Sequence, residues 1–134
     1  MVFTFPQKVL FRHCDPAGIV FYPRYFEMIN DCVEAFFAKL GFPFEDIHKQ
    51  SGVPTAQIET RFSAPSRHGD ELLLTLAVAR VGRSSLGLEI DAHAGRECRF
   101  SCSSTLVYIN ETGRAAPWPA DLKTAFTPYH RSTT

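Results

Sequence analysis

The sequence predicts an α+β fold in which an antiparallel sheet wraps around one long central helix. Two observations support this prediction. One long segment, beginning at Pro23, has apolar residues at helical spacing, and four strand-like segments joined by short turns follow it. The helix has to bury an apolar stripe and the sheet is the only available partner, so the two are expected to pack together. The chain of 134 residues has the length of one domain, residues 1–134.

The long helix is expected to begin at Pro23, because the first helical turn tolerates a residue without an N–H group. Its apolar residues recur at helical spacing as far as about residue 40, and Gly41 is suited to end it. A helix of about 18 residues would be about 27 Å long. The apolar positions are Phe26, Ile29, Val33, Phe36, Phe37 and Leu40.

Five segments are expected to form strands. They are residues 5–12, before the helix, and residues 55–63, 71–81, 85–93 and 98–109 after it. Polar and apolar residues alternate in the second of these, which predicts a strand with one buried face. Short turns separate the last four strands, so we expect an antiparallel meander. Residues 117–126 are expected to form a short terminal helix.

The composition excludes several classes of function. Lys plus Arg and Asp plus Glu both number 14, so the formal net charge is zero, whereas binding to nucleic acid or an anionic membrane normally requires a basic excess. No apolar run approaches the ~20 residues that span a bilayer, and residues 1–11 do not resemble a signal peptide. The four cysteines lack the spacing of zinc ligands. We therefore expect a reduced, cytoplasmic protein without a bound metal.

The segment of residues 13–26 places an acidic residue, Asp15, in a loop that leads directly into the helix. Unpaired N–H groups and the positive end of the helix dipole meet at a helix N-terminus, which can stabilise a carbonyl oxygen as it becomes an oxyanion. A nearby carboxylate can attack the carbonyl carbon or deprotonate a water molecule that does so. An acyl-transfer hydrolase needs these parts. The alternative is that Asp15 and Pro16 only begin a turn, where Asp is common.

The same segment carries a resemblance to a known family. The run Asp15-Pro16-Ala17-Gly18-Ile19-Val20-Phe21-Tyr22-Pro23, followed by Tyr25-Phe26, resembles the signature of hotdog-fold acyl-CoA thioesterases of the 4-hydroxybenzoyl-CoA thioesterase family. The similarity continues through residues 41–43, 53–54 and 69–70 and covers roughly residues 7–125. Nine consecutive matching residues are more specific than a spaced pattern of glycines. The resemblance implies the hotdog fold, a five-stranded antiparallel sheet around the long helix.

The resemblance also implies roles for individual residues. Asp15 matches the family's catalytic carboxylate, a nucleophile or general base, and Tyr22 matches the residue whose backbone N–H polarises the thioester carbonyl. Gly18 matches the turn that lets the loop close over the substrate, and Arg83 matches a basic position that contacts coenzyme A phosphates. The implied substrate is an acyl-CoA, with no separate cofactor. Because the family's sites lie between two subunits, a homodimer that assembles into a homotetramer is implied as well.

Three positions depart from the family pattern. Asn30 stands where the hydroxybenzoyl enzyme has an Asp facing the hydroxyl of the acyl ring, and Asn is not an anion. Val53 stands where a Thr lines the same pocket, and Arg83 is followed by Ser84 where the family has further basic residues. The first two departures make the pocket less polar, which favours an aryl, benzoyl-like group or a short aliphatic acyl group. The third leaves fewer basic residues to bind the coenzyme A phosphates.

Other functions are open at this level. A hydroxyacyl thioester dehydratase on the same fold would pair a loop His with an acid, and a non-catalytic acyl-CoA binding module would bind without releasing a thiol. A nucleophilic pair of His13 and Cys14 is disfavoured, because adjacent residues of an extended segment point to opposite sides. Glu59 is expected at the surface or an interface, although hotdog sites can take an acid from its strand.

Overall fold

A five-stranded antiparallel sheet forms one layer of the fold in the computed structural model, which describes residues 1–131. The strands are β1 (Phe3–Lys8), β2 (Thr55–Phe62), β3 (Glu71–Val81), β4 (Ser85–Ala94) and β5 (Glu97–Val107). Their order across the sheet is β1-β3-β4-β5-β2. Pro6 lies in β1, an edge strand, where a residue without an N–H group is tolerated.

The second layer is helix α1 (Pro23–Lys39), whose 17 residues make it about 26 Å long. It ends one residue before the predicted end. In β3 every second residue from Leu72 to Val78 is buried, so the sheet turns one apolar face toward the helix. The predicted α+β class and hotdog fold are therefore confirmed. The buried residues of α1 are Tyr25, Met28, Ile29, Cys32, Val33, Phe36 and Phe37.

Short helices account for several differences from the predicted elements. The predicted first strand, residues 5–12, begins and ends too late, since β1 runs from Phe3 to Lys8. Phe11–His13 instead form a 3-10 turn in which His13 N–H donates to Leu10 O (3.0 Å). The polar connector after α1 contains a further helix, α2 (Phe44–Ile47), which is too short to show a period in the sequence.

The terminal helix, α3 (Ala120–Phe126), begins later than predicted because Pro119 sits at its N-terminal boundary. A 3-10 turn, Thr127–Tyr129, follows it. The aromatic ring of Phe36 in α1 lies 6.4 Å from that of Phe126 and 5.0 Å from that of Tyr129, between ring centroids. The segment of residues 120–129 thereby packs on the helix. None of the described helices is long and apolar enough to cross a membrane.

The predicted meander of the last four strands is wrong in one respect. β2 pairs with β5, Glu59 opposite Ser103, and not with β3. The connection of residues 63–70 is longer than a hairpin loop and carries the chain past two intervening strands. Arg99 of β5 holds this connection, because its Nη1 donates to Asp70 Oδ2 (2.7 Å) and Ser66 Oγ (3.1 Å).

The prediction that one face of β2 is buried is also wrong within a single chain. Ile58 pairs with Ser104 and Phe62 pairs with Phe100, so both lie on the same side of the sheet as the core. They nevertheless remain 41% and 43% exposed, because α1 does not cover this edge. Among residues 1–131, the outer edge of β2 has no partner strand.

Candidate active site

The loop of residues 14–20 is a tight turn closed by main-chain hydrogen bonds. Asp15 N–H donates to Ile19 O (3.0 Å), and Gly18 N–H donates to Asp15 O (2.9 Å). The Asp15 side chain is half-buried, and its Oδ1 accepts a hydrogen bond from Ala17 N–H (2.9 Å). The turn therefore fixes the carboxylate through one oxygen. Its other oxygen, Oδ2, has no hydrogen-bond partner in the part of the chain that the structure describes.

Further main-chain bonds attach the loop to the rest of the molecule. Val20 N–H donates to Ser66 O (2.8 Å), which lies in the connection between β2 and β3. Phe21 N–H donates to His13 O (2.9 Å) at the other side of the loop. Both ends of the loop are thus held before α1 begins.

The His13 ring lies next to this loop and hydrogen-bonds to the main chain that precedes it. It is buried, and its Nδ1 accepts a hydrogen bond from Leu10 N–H (2.8 Å). Burial lowers the pKa of His13, and the nearby Arg12 charge acts in the same direction. The thiol of Cys14 lies 3.8 Å from Leu10 O. His13 thus accepts a hydrogen bond from the main chain, and within residues 1–131 no hydrogen bond joins it to Cys14.

The start of α1 leaves one N–H group free. Arg24 N–H donates to Phe21 O (2.8 Å), and Tyr25 N–H donates to Tyr22 O (3.0 Å). Pro23 has no N–H group. The N–H of Tyr22 donates to no protein acceptor within residues 1–131. An unpaired donor and the positive end of a 17-residue helix therefore meet at Tyr22.

A cavity of about 770 Å³ opens beside α1 and α2, and we call it the α1–α2 cavity. Two predicted substrate-binding residues, Asn30 and Val53, line it. Within the described chain its lining contains no charged side chain, which suits a neutral, largely apolar group. The apolar part of the lining includes Phe26, Ile29, Val33, Phe44, Leu106 and Ile109.

The structure does not bring all the predicted site residues into this cavity. Asp15, Gly18 and Tyr22 lie together in and after the loop, outside its lining. Arg83 is exposed in the turn between β3 and β4, also outside the lining, and its carbonyl oxygen accepts a hydrogen bond from Trp118 N–H (3.0 Å). A single chain therefore presents the predicted residues in three separate places.

The Phe62 ring lies between the loop and the cavity. Its centroid is 6.1 Å from that of Tyr22 and 6.3 Å from that of Phe26, and it stacks on Tyr25 at 5.6 Å. Phe26 was expected in the core with the other helix aromatics, but it is half-buried and forms part of the cavity wall. The free N–H of Tyr22 is thus one helical turn from this wall.

Similarity to known proteins identifies the family. The model of the thioesterase-like superfamily matches residues 9–126. The chain belongs to the thioesterase-like superfamily. The predicted membership in a family of thioester hydrolases is therefore confirmed.

Individual proteins similar to this thioesterase-like chain are also named as thioesterases. It is 27% identical over 86 residues to the 4-hydroxybenzoyl-CoA thioesterase of Pseudomonas sp. (strain CBS-3), a match that covers 61% of each protein. Its fold is similar to that of Slr0204, a 1,4-dihydroxy-2-naphthoyl-CoA thioesterase from Synechocystis, with 20% identity, a TM-score of 0.88 and coverage of 95% and 96% of the two chains. It also resembles BH1999, a gentisyl-coenzyme A thioesterase, with 26% identity, a TM-score of 0.84 and coverage of 92% and 98%.

The thioesterase-like chain has cavity residues that the sequence did not single out. His48 and Ser51 follow α2 and line the α1–α2 cavity, but a four-residue helix leaves no periodic signal that could have identified them. Glu59, the acid that hotdog sites can take from this strand, lies opposite Ser103 on the outer face of the sheet. It therefore lies on the other side of the sheet from the cavity.

Proposed function

We propose that this thioesterase-like protein hydrolyses the thioester bond of an acyl-coenzyme A that carries an aryl or short acyl group. The family supports thioester hydrolysis, and the similar proteins described above are named as thioesterases of aryl-CoA substrates. The observation that carries the proposal is the combination, in one short segment, of the free carboxylate oxygen of Asp15 and the free N–H of Tyr22. The apolar α1–α2 cavity supports an acyl-binding role.

In the proposed reaction, the Tyr22 N–H and the positive end of α1 polarise the thioester carbonyl. Asp15 either attacks the carbonyl carbon, forming an anhydride that water then hydrolyses, or removes a proton from the attacking water. In both routes the bond between the carbonyl carbon and sulfur breaks. Coenzyme A leaves as a thiolate, and the acyl group leaves as the free acid.

The remaining predicted residues have binding roles in this proposal. Asn30 and Val53 would contact the acyl group, since both line the cavity. Gly18 would allow the loop to close over the thioester. Arg83 is exposed, and its guanidinium would contact the coenzyme A phosphates, for which its planar fork is suited.

A second copy of the chain is part of the proposal, because Asp15 and the cavity do not meet within one chain. β2 has an edge without a partner strand in the described residues, and the exposed apolar side chains of Phe21, Ile58 and Phe62 lie on or near it. Pairing of this edge with the same edge of another copy would satisfy its main-chain groups and cover these side chains. We propose a homodimer with the site at its interface, and a homotetramer made of two dimers.

Asp15→Asn tests the catalytic assignment. Asn retains an oxygen that can accept the Ala17 N–H, so the turn should persist while the negative charge is lost. We expect thiol release from acyl-CoA to fall at least about a hundredfold, the lower range for loss of a general base, with an unchanged circular dichroism spectrum. Asp121→Asn, exposed in α3 and distant in sequence from the loop, is the matched control and should retain activity. Full activity of Asp15→Asn would reject the assignment.

A further inference from the structure

Two polar side chains just after α2 donate hydrogen bonds to main-chain carbonyl oxygens. His48 Nδ1 lies 2.8 Å from Phe44 O, and Ser51 Oγ donates to Ile47 O at 2.6 Å. A carbonyl oxygen only accepts hydrogen bonds, so the Nδ1 atom of His48 has to carry the hydrogen. Both side chains line the α1–α2 cavity.

This arrangement leaves hydrogen-bond acceptors for the cavity. In a neutral imidazole with Nδ1 protonated, Nε2 has a free lone pair, and the Ser51 oxygen also has one. The Cδ2 edge of the ring, next to Nε2, faces Gly52 of the cavity lining, since a Cβ built on Gly52 would lie 3.8 Å from His48 Cδ2. The ring also makes an edge-to-face contact with Phe44, another residue of the cavity lining, at 5.1 Å between centroids.

The hydrogen-bond acceptors of His48 and Ser51 differ in kind from the amide of Asn30, on the α1 side of the cavity. Asn30 of α1 has both a carbonyl oxygen and an amide, so it can bind donors and acceptors alike. The α2 side offers acceptors, and the described lining contains no cation that would bind an anionic group. The two sides of the cavity therefore present different hydrogen-bonding groups.

We propose that His48, assisted by Ser51, is a specificity-determining residue that selects acyl groups bearing a hydrogen-bond donor such as a hydroxyl. The inference rests on the proposed function, because it concerns the acyl group of that substrate. His48 is exposed to solvent in the single chain. A hydroxyl placed against Nε2 pairs with it, whereas a fluorine or a hydrogen at the same place displaces water from the lone pair without replacing the hydrogen bond, which costs free energy.

The test compares thiol release from benzoyl-CoA, 4-fluorobenzoyl-CoA and the three hydroxybenzoyl-CoA isomers. For the wild type, we expect kcat/KM for at least one hydroxylated ester to exceed that for the fluorinated ester by about tenfold, the size of one hydrogen bond. His48→Phe, which keeps a ring but removes the acceptor, should bring this ratio close to one, chiefly through a lower kcat/KM for the hydroxylated ester. His48→Gln, whose amide oxygen accepts, should retain part of the preference, and Ser51→Ala should reduce it.

Lys49→Ala is the matched control, since Lys49 is adjacent to His48, is exposed and does not line the α1–α2 cavity. It should keep the full preference. A wild type without a preference for any hydroxylated ester, or a His48→Phe variant that keeps it, would overturn the inference. If the His48 variants do not fold, calorimetric binding of hydroxybenzoates and 4-fluorobenzoate to the wild type and to Ser51→Ala decides the question. Equal affinities of the wild type for the hydroxylated and fluorinated acids, or an unchanged preference in Ser51→Ala, would overturn the inference. The binding measurement also separates the two proposals. If no ester were hydrolysed, the proposed function would be refuted, whereas a preference in binding for the hydroxylated acids would still support the inference about His48.

Discussion

At the scale of single residues, Gly18 sets the path of the loop that carries Asp15. Its φ is 81°, and nothing lies within 4 Å of the place where a Cβ would be. An alanine would therefore meet no clash but would have to adopt the left-handed conformation. We expect Gly18→Ala to lower the free energy of unfolding by about 1–2 kcal/mol, measured by urea denaturation. Gly18→Asn should cost less because Asn tolerates this conformation, and equal losses for the two variants would contradict the explanation.

Single residues also show what a sequence can reveal about a site. Asp15, Gly18 and Tyr22 could be predicted together because they lie within eight positions of one another in a contiguous motif. His48 could not, because its importance depends on a hydrogen bond to Phe44 in a helix of four residues and on the cavity beside it. Such a role comes from tertiary structure and leaves no local pattern.

At the scale of elements, the connection between β2 and β3 depends on the pairing of Asp70 with Arg99. The hydrogen bond from Arg99, followed by one from Arg67 N–H, holds the pKa of Asp70 below its usual value of 3.8. A pKa lowered by folding means that the stabilisation is complete above the unfolded-state pKa. It is lost as the pH falls through the folded-state pKa.

Asp70→Asn therefore has an effect on stability that depends on pH. We expect it to lower the free energy of unfolding by about 1 kcal/mol at pH 7, a value reduced for partial solvent screening. The difference from the wild type should shrink as the pH falls below about 4. Urea unfolding between pH 7 and the lowest pH at which both proteins fold measures it. Asp46→Asn, which removes an exposed pair with Lys49, should have little effect, and a difference independent of pH for Asp70→Asn would contradict the prediction.

The elements differ in how far the sequence determines them. α1 was predicted to within one residue because its apolar period is local. The partner of β2 was not, because alternation within a strand says which side faces the core but not which strand lies beside it. The neighbour of β2 is fixed by contacts distant in sequence, among them that between Arg99 and the connection of residues 63–70.

At the scale of the whole molecule, one chain holds the parts of the proposed site without joining them. The loop with Asp15 and the α1–α2 cavity are separated by aromatic rings around Phe62, at the open edge of the sheet. The alternation in β2 predicts that Ile58 and Phe62 are buried, but both remain exposed in the single chain. In the proposed dimer, a partner copy would supply that burial.

Phe62→Lys tests whether a second copy covers this edge. The lysine stem can still lie against Tyr25, on which Phe62 stacks, so the chain should fold. Burying the lysine charge in a two-fold symmetric interface costs free energy. Near the two-fold axis, the charge would also repel the same charge on the partner copy. We expect sedimentation velocity to show a dimer or larger species for the wild type and a monomer for Phe62→Lys, with thiol release falling in parallel.

Leu73→Lys changes a side chain of matching exposure (44%) on the outer face of β3 and should leave the dimer intact. An unchanged sedimentation coefficient for Phe62→Lys would place the partner, and with it the complete site, elsewhere on the molecule.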